Sequence, residues 1–299
     1  LALGTYLNWL IVSKRLRRYS LAAGNAITLP DFFSNRFHEK KKVIMTISSL
    51  FILIFFAVYA GSCFVTCGKL FNQMFGIDYK LMMLAGAAFV IIYTFLGGFL
   101  AESVSDFMQG MLMIFALVVI LTVGTKAAGG LGNVIENVKS IPGFGEFFGI
   151  AQPVVKDGVQ QLGADGKPLF GQAGDYGLLN VVSMLAWGLG YFGMPQVLLR
   201  FIAIRRADEL KMSRRIAMVW VTISLIAAVA IGIIGRCAFP TSLLTKSDAE
   251  NVFILMSQSL LHPLFAGVIM AGILAATISS SDSYLLIAAS ALSKNIYQG

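Results

Sequence analysis

Ala276, Ser279, Ser280 and Ser283 recur at i, i+3, i+4 and i+7, a spacing that places all four on one face of an α-helix. They belong to the run Ala275-Ala-Thr-Ile-Ser-Ser-Ser-Asp-Ser283, which packs five hydroxyls and Asp282 into residues 277–283. Hydroxyls and a helix carbonyl turned the same way offer several hard oxygens. A small alkali cation needs donors of that kind when it leaves water. The plainer reading is that serines in a membrane helix bond back to their own carbonyls or join neighbouring helices. The density of hydroxyls, with an acid among them, favours a cation face.

A second stretch, Trp187-Gly-Leu-Gly-Tyr-Phe-Gly-Met-Pro195, carries a different chemistry. Trp187 and Tyr191, spaced i, i+4, are large apolar bodies with polar tips beside three glycines and a proline. They lie inside an apolar run from Gly177 to Phe201 that is long enough to cross a bilayer. Such a helix breaks only where other protein or a wet cavity receives the freed backbone groups. A broken, aromatic-lined span reads as part of a transporter binding site. Gly188-x-Gly190-x-x-Gly193 also matches the dinucleotide fingerprint as a string. That motif needs a preceding strand and a βαβ context, whereas the flanks here are membrane helix and the next acid, Asp208, lies in a basic loop, so nucleotide binding is set aside.

Two acids fall at membrane depth, where an ionisable group is a functional hypothesis by default. Asp106 is either such a group or a helix N-terminal residue favoured by the dipole. Asp282 sits deeper and requires a partner or a cation. Tyr59, midway through an apolar run, reads by itself as a packed aromatic.

These groups need long apolar helices to hold them, and the composition supplies them. Of 299 residues, 57% are hydrophobic and 13% charged, against about 25% charged in soluble domains. Runs of about 20 apolar residues exceed what barrel strands require, so the expected class is an all-α polytopic membrane protein. The net charge of +8 reflects basic loops facing the cytoplasm rather than nucleic-acid binding. Cys63, Cys67 and Cys237 all fall in apolar spans without metal-ligand spacing and read as small packing residues.

In chain order the expectation is a half-span ending at Ser13, a basic loop, and a long helix over 43–75. Helices over 80–100 and 107–126 follow, joined by a tight acidic connection from Glu102 to Asp106. A polar segment over 127–176 comes next, with a small hairpin at Asp165-Gly166. The broken span leads into a second basic loop that includes Arg200. A span over 216–239, an amphipathic piece over 249–261 and a last helix over 264–293 complete the series. That makes about six full spans and a partial one in a single transporter domain, read as an internal piece of a longer protein. Placing both basic loops inside satisfies the positive-inside rule and makes 127–176 extracytoplasmic.

With these residues assembled, the chain resembles the solute:sodium symporter family, most closely its sodium/proline branch. The resemblance runs through Ile27-Thr-Leu-Pro-Asp-Phe-Phe-Ser-Asn-Arg36, Tyr93-Thr-Phe-Leu-Gly-Gly-Phe-Leu-Ala101, Trp187–Pro195 and Ile273-Leu-Ala-Ala-Thr-Ile-Ser-Ser280. It implies a LeuT-like core of inverted repeats, five plus five helices, of which this chain covers part of the second through the eighth. By position, Tyr59, Trp187, Tyr191 and Pro195 match substrate-lining residues. Ala276 (through its carbonyl), Ser279 and Ser280 match Na⁺ ligands. Asp106 matches an aspartate used in cation handling, which some relatives combine with hydroxyls such as Ser283 to hold a second sodium. Asp282 stands where a hydroxyl is usual, and Glu102 where the family has an apolar residue.

What the resemblance implies is Na⁺-coupled symport of L-proline by alternating access, in a bacterial plasma membrane and without covalent catalysis. The alternatives are Na⁺ symport of another small solute (pantothenate, a monocarboxylate or a sugar) and the membrane domain of a sensor.

Overall fold

The computed structural model describes all residues except Asp165, Leu243, 246–248 and Gly299. Among the described residues, five helices are long and apolar enough to cross a membrane: Val43–Phe75, Tyr79–Ala127, Leu178–Ala203, Leu210–Ala238 and Pro263–Tyr297. Large apolar side chains such as Leu179, Phe95 and Leu100 are exposed on them, as helices bathed in lipid require. The chain divides into two compact units. The first comprises 1–113, 187–220 and 273–299, and the second 114–186 and 221–272.

The first unit opens with α1 (Ala2–Leu7), a π-helical turn over Asn8–Val12, and α2 (Ser13–Ala22). The helix therefore runs through the basic residues expected to begin a loop at Ser13. Long Lys and Arg side chains are good helix formers, and the turn comes only at Gly24 and Asn25, both with positive φ. α3 (Leu29–Arg36) also lies in that expected loop. Its start is written locally, with the Thr28 side chain accepting from the Asp31 amide and Pro30 in the first turn. α4 (Val43–Phe75) ends on Gly76, whose φ of 67° takes the left-handed cap that glycine supplies.

The Asp78 carboxylate caps the next helix through the Leu81 amide at 2.9 Å, and α5 runs over Tyr79–Ala127. At 49 residues it would be about 73 Å long as one rod, over twice a hydrocarbon core of about 30 Å. It is broken at Gly98, where φ 58° and ψ −157° lie outside the helical region. Helix resumes directly after Gly98, so Glu102 to Asp106 are helical and not the connection expected from sequence.

Two clusters hold this unit. In one, Leu16, Leu29 and Phe32 pack against Val197, Leu198 and Phe201, with the Trp9 ring edge-on to Phe201 at 4.6 Å. In the other, Phe56 and Ala60 of α4 meet Tyr284, Ile287 and Ala288. Those three sit on α11 (Pro263–Ser290), the last long helix. Lipid tails are as apolar as these side chains, so close packing and interhelical hydrogen bonds, rather than water exclusion, select the pairs.

In the second unit, α10 (Val252–Leu260) packs with the C-terminal part of α9 (Leu210–Ala238) and the end of α5. Gly124 and Gly235 admit Met256 and Val252 where any Cβ would overlap them. Among the described residues, the polar segment carries α6 (Leu131–Ser140) and four short strands: β1 (Gly149–Ile150), β2 (Val155–Lys156), β3 (Val159–Gln160) and β4 (Gly174–Asp175). β1 pairs with β4 and β2 with β3, both antiparallel. The hairpin turn found is Asp157-Gly158, with φ 53° and 77°, the positive pair an Asp-Gly hairpin requires. The hairpin expected at Asp165-Gly166 involves Asp165, which lies outside the described residues.

Candidate functional site

The glycine-rich aromatic stretch is broken, and the structure shows where the break falls. α7 (Leu178–Gly190) carries Gly188 and Gly190 as ordinary helix. A 3₁₀ turn follows at Tyr191–Gly193, Met194 is extended (φ −65°, ψ 111°), and α8 (Pro195–Ala203) begins on the proline. Proline therefore sets the position. It disfavours helical geometry in the residue before it and starts a helix well itself.

One freed backbone group has a partner within the protein. The Asn8 side-chain amide donates to the Tyr191 carbonyl at 3.0 Å, and Asn8 is fully buried. A few residues earlier Gly4 lies directly on the Gly188 backbone, so close that a Cβ on Gly4 would overlap it. The missing Cβ of Gly4 lets the helices touch, and an amide bridges the gap in one of them. Of the two aromatics, Tyr191 is half-buried against the Phe201 cluster. Trp187 keeps 61% of its surface exposed.

On α11 the hydroxyl face forms as the spacing dictates. Ser279 and Ser280 both donate to the Ala276 carbonyl, at 3.1 and 3.0 Å. The three oxygens thus gather at one point. Ala276 and Ser280 border a cavity of about 250 Å³ that Ser62 and Thr66 of α4 line from the other side. The bonds are the back-bonds of the plainer reading. They are also compatible with a cation, because a hydroxyl can rotate its proton away and present lone pairs in the same place.

One turn further, Ser283 belongs to a charged network. Its hydroxyl donates to Glu102 Oε1 in a short hydrogen bond. Arg200 Nη2 reaches Asp106 at 2.7 Å, Ser283 Oγ at 3.2 Å and Glu102 Oε1 at 3.3 Å. Asp106 is thus ion-paired within a continuing helix and is not an N-terminal residue. Arg200, expected in a basic loop, lies in α8 and supplies the countercharge for two acids. Asp282 is fully buried and accepts from the Ser283 backbone amide at 2.7 Å. Its other oxygen finds no donor among the described residues. The network forms one end of a cavity of about 330 Å³, bordered otherwise mainly by apolar residues such as Phe99, Leu199 and Ile287.

Tyr59 stands with its ring 5.0 Å from Tyr284, whose hydroxyl accepts from Gln196 Nε2 at 3.4 Å. Pro195 borders a very small gap with Ile52, Leu199 and Ile287, which makes its contacts those of packing. None of Tyr59, Trp187, Tyr191 and Pro195 borders the cavity at Arg200.

Sequence reasoning misses Asn8, Gln196, Arg200 and Tyr284. For Asn8, Gln196 and Arg200 a signal exists, a polar residue inside an apolar run. Tyr284 carries no local signal.

Comparison with known proteins agrees with this architecture. The profile of the Sodium:solute symporter family matches residues 1–299. The protein called Sodium/proline symporter in Staphylococcus aureus (strain USA300) is 38% identical over 300 residues, covering 100% of this chain and 53% of the relative. The protein of the same name in strain Newman gives the same identity and coverage. The chain thus spans about half the length of the curated relatives it matches. It is a multi-pass membrane protein and belongs to the sodium:solute symporter family.

Proposed function

We propose that this chain forms part of a Na⁺-coupled symporter of L-proline that works by alternating access in the bacterial plasma membrane. The observation that carries this reading is the convergence of Ser279 and Ser280 on the Ala276 carbonyl beside a cavity, in a chain 38% identical to proteins named for sodium/proline symport. Sodium is cargo here. Ala276, Ser279 and Ser280 contribute part of its oxygen shell, with Ser283 offering a further oxygen and Asp106 and the deeper Asp282 setting the charge nearby. Trp187 and Tyr191 enclose the apolar ring of the amino acid, supported by Tyr59 and Pro195. No bond is made or broken. The basic segments containing Arg15 and Arg205 face the cytoplasm, and residues 127–176 face outward.

A ligand moves a conformational equilibrium only through its different affinity for the two states. Sodium that binds the outward state better must therefore lower the apparent KM for proline. The test is uptake of radiolabelled L-proline into liposomes holding the full-length protein, driven by a sodium gradient. The expected result is uptake that needs sodium and is competed by unlabelled proline. Uptake of another solute that proline fails to compete transfers the reading to that solute.

A further inference from the structure

We propose that the cavity at Arg236, where the end of α9 meets the polar segment, binds a small organic carboxylate with an apolar body, as an effector and not as cargo. The site lies within the second unit. It shares no residue with the cation face or the broken helix of the first.

Arg236 stands in the last turn of α9 and is half-buried. A cation partly withdrawn from water needs a counter-charge, yet among the described residues no carboxylate pairs with it. Its guanidinium is held in place by other means. Nη2 donates to Gln160 Oε1 at 3.0 Å, and the Phe170 ring centre lies 4.9 Å from the guanidinium carbon. Gln160 is buried and anchored in turn, its amide donating to the Leu169 carbonyl at 3.1 Å. Nε and Nη1 of Arg236 have no partner among the described residues, and both keep accessible surface. The charge is thus fixed, unneutralised and within reach of a ligand.

The walls come from the strand pairings of the polar segment. β1 pairs with β4, and Pro153 bridges to Phe170. With Arg236, the side chains of Phe144, Phe147, Ile150, Phe170 and Tyr176 border a cavity of about 530 Å³, within the ~300–1,000 Å³ range of small-molecule pockets. Phe147 keeps 74% of its surface exposed and Ile150 43%. One side of the site therefore asks for negative charge and the rest for apolar surface. A bare anion leaves the aromatic wall in water, and a neutral aromatic leaves the guanidinium unpaired. A carboxylate on an aromatic or aliphatic body answers both, with a charge-assisted hydrogen bond at one end and apolar burial at the other.

The test is binding of para-fluorobenzoate to the full-length protein in phosphatidylcholine nanodiscs, followed by the fluorine NMR line width of the probe. Para-fluorobenzamide is the neutral control. Saturable binding of the acid is expected, about tenfold or more tighter than the amide, the worth of one hydrogen bond to a charged group. Arg236→Gln should bring the acid down to the level of the amide, and Arg236→Lys should keep part of the preference. Phe147→Ala removes an exposed side chain, so it keeps the test valid if the arginine variants lose their cooperative melting transition, and it should weaken both probes. Unlabelled L-proline should not displace the acid. Equal binding of acid and amide by the wild type, or a preference that survives Arg236→Gln, overturns the proposal. Displacement by L-proline overturns it in favour of a substrate site. Displacement by inorganic phosphate as effective as that by unlabelled benzoate overturns the need for an apolar body. Displacement on adding phosphatidylglycerol to the discs overturns it in favour of a lipid headgroup.

Discussion

The side chain of Asn8 donates to the main-chain carbonyl of Tyr191, 183 residues away, at 3.0 Å. That bond supports a broken helix in a solvent that cannot, because lipid has no donor to offer the freed carbonyl. Asn8→Leu leaves the carbonyl buried and unpaired, a loss of about 1–3 kcal/mol. A clear drop in melting temperature of the detergent-solubilised protein is expected, and an unchanged melting curve would show that the bond contributes nothing to stability.

The contact between Gly4 and Gly188 is asymmetric, which gives a sharper test. A Cβ on Gly4 overlaps the Gly188 backbone, whereas a Cβ on Gly188 finds its nearest neighbour at 3.8 Å. Gly4→Ala should therefore destabilise by about 1–3 kcal/mol, as overpacking does, while Gly188→Ala should be nearly neutral. Equal effects in thermal unfolding would contradict this geometry.

At Gly98 the argument concerns the backbone alone. Among the described residues nothing lies within 4 Å of a Cβ built there, but φ is 58° with ψ −157°, a region essentially reserved for glycine. Gly98→Ala should cost about 1–3 kcal/mol through strain, despite the open space. Circular dichroism during a thermal ramp measures it, and wild-type stability would mean the break can be made by other dihedrals.

Ser279 and Ser280 predict the sodium dependence. Replacing both with alanine should raise the sodium concentration for half-maximal proline uptake at least tenfold, about 1.4 kcal/mol. Proline KM at saturating sodium should move much less. Sodium dependence identical to wild type removes these hydroxyls from the cation path.

Arg200 holds two acids, so its removal should be worse than the loss of an ordinary surface charge. Stripping one partner from a buried ion pair costs about 3–5 kcal/mol. Arg200 is 44% exposed, which places Arg200→Met at or below the low end of that range. Adding Glu102→Gln removes one of the two stranded charges and should restore part of the loss. Additive effects of the two substitutions in thermal unfolding would mean the charges do not interact.

The residues that announce themselves in sequence are those whose signal is local. Lipid imposes helices of fixed minimum length, so composition and apolar runs determine an all-α membrane protein. The period of 3.6 by itself puts Ala276, Ser279, Ser280 and Ser283 on one face, and Pro195 dictates where α8 starts. Helix boundaries inside basic stretches are poorly legible. Lys and Arg signal a membrane edge, yet they propagate helix well, as α2 does through Arg15, Arg17 and Arg18. What only the tertiary structure decided is which distant groups meet. No spacing rule brings Asn8 to Tyr191, or Arg200 to Glu102 and Asp106, across gaps of 183, 98 and 94 residues. A buried polar group must find a partner, but its own sequence neighbourhood does not say which one. The hydroxyl face and the glycine-rich break were written in the chain. The amide that supports the break and the guanidinium beside the hydroxyls were chosen by packing.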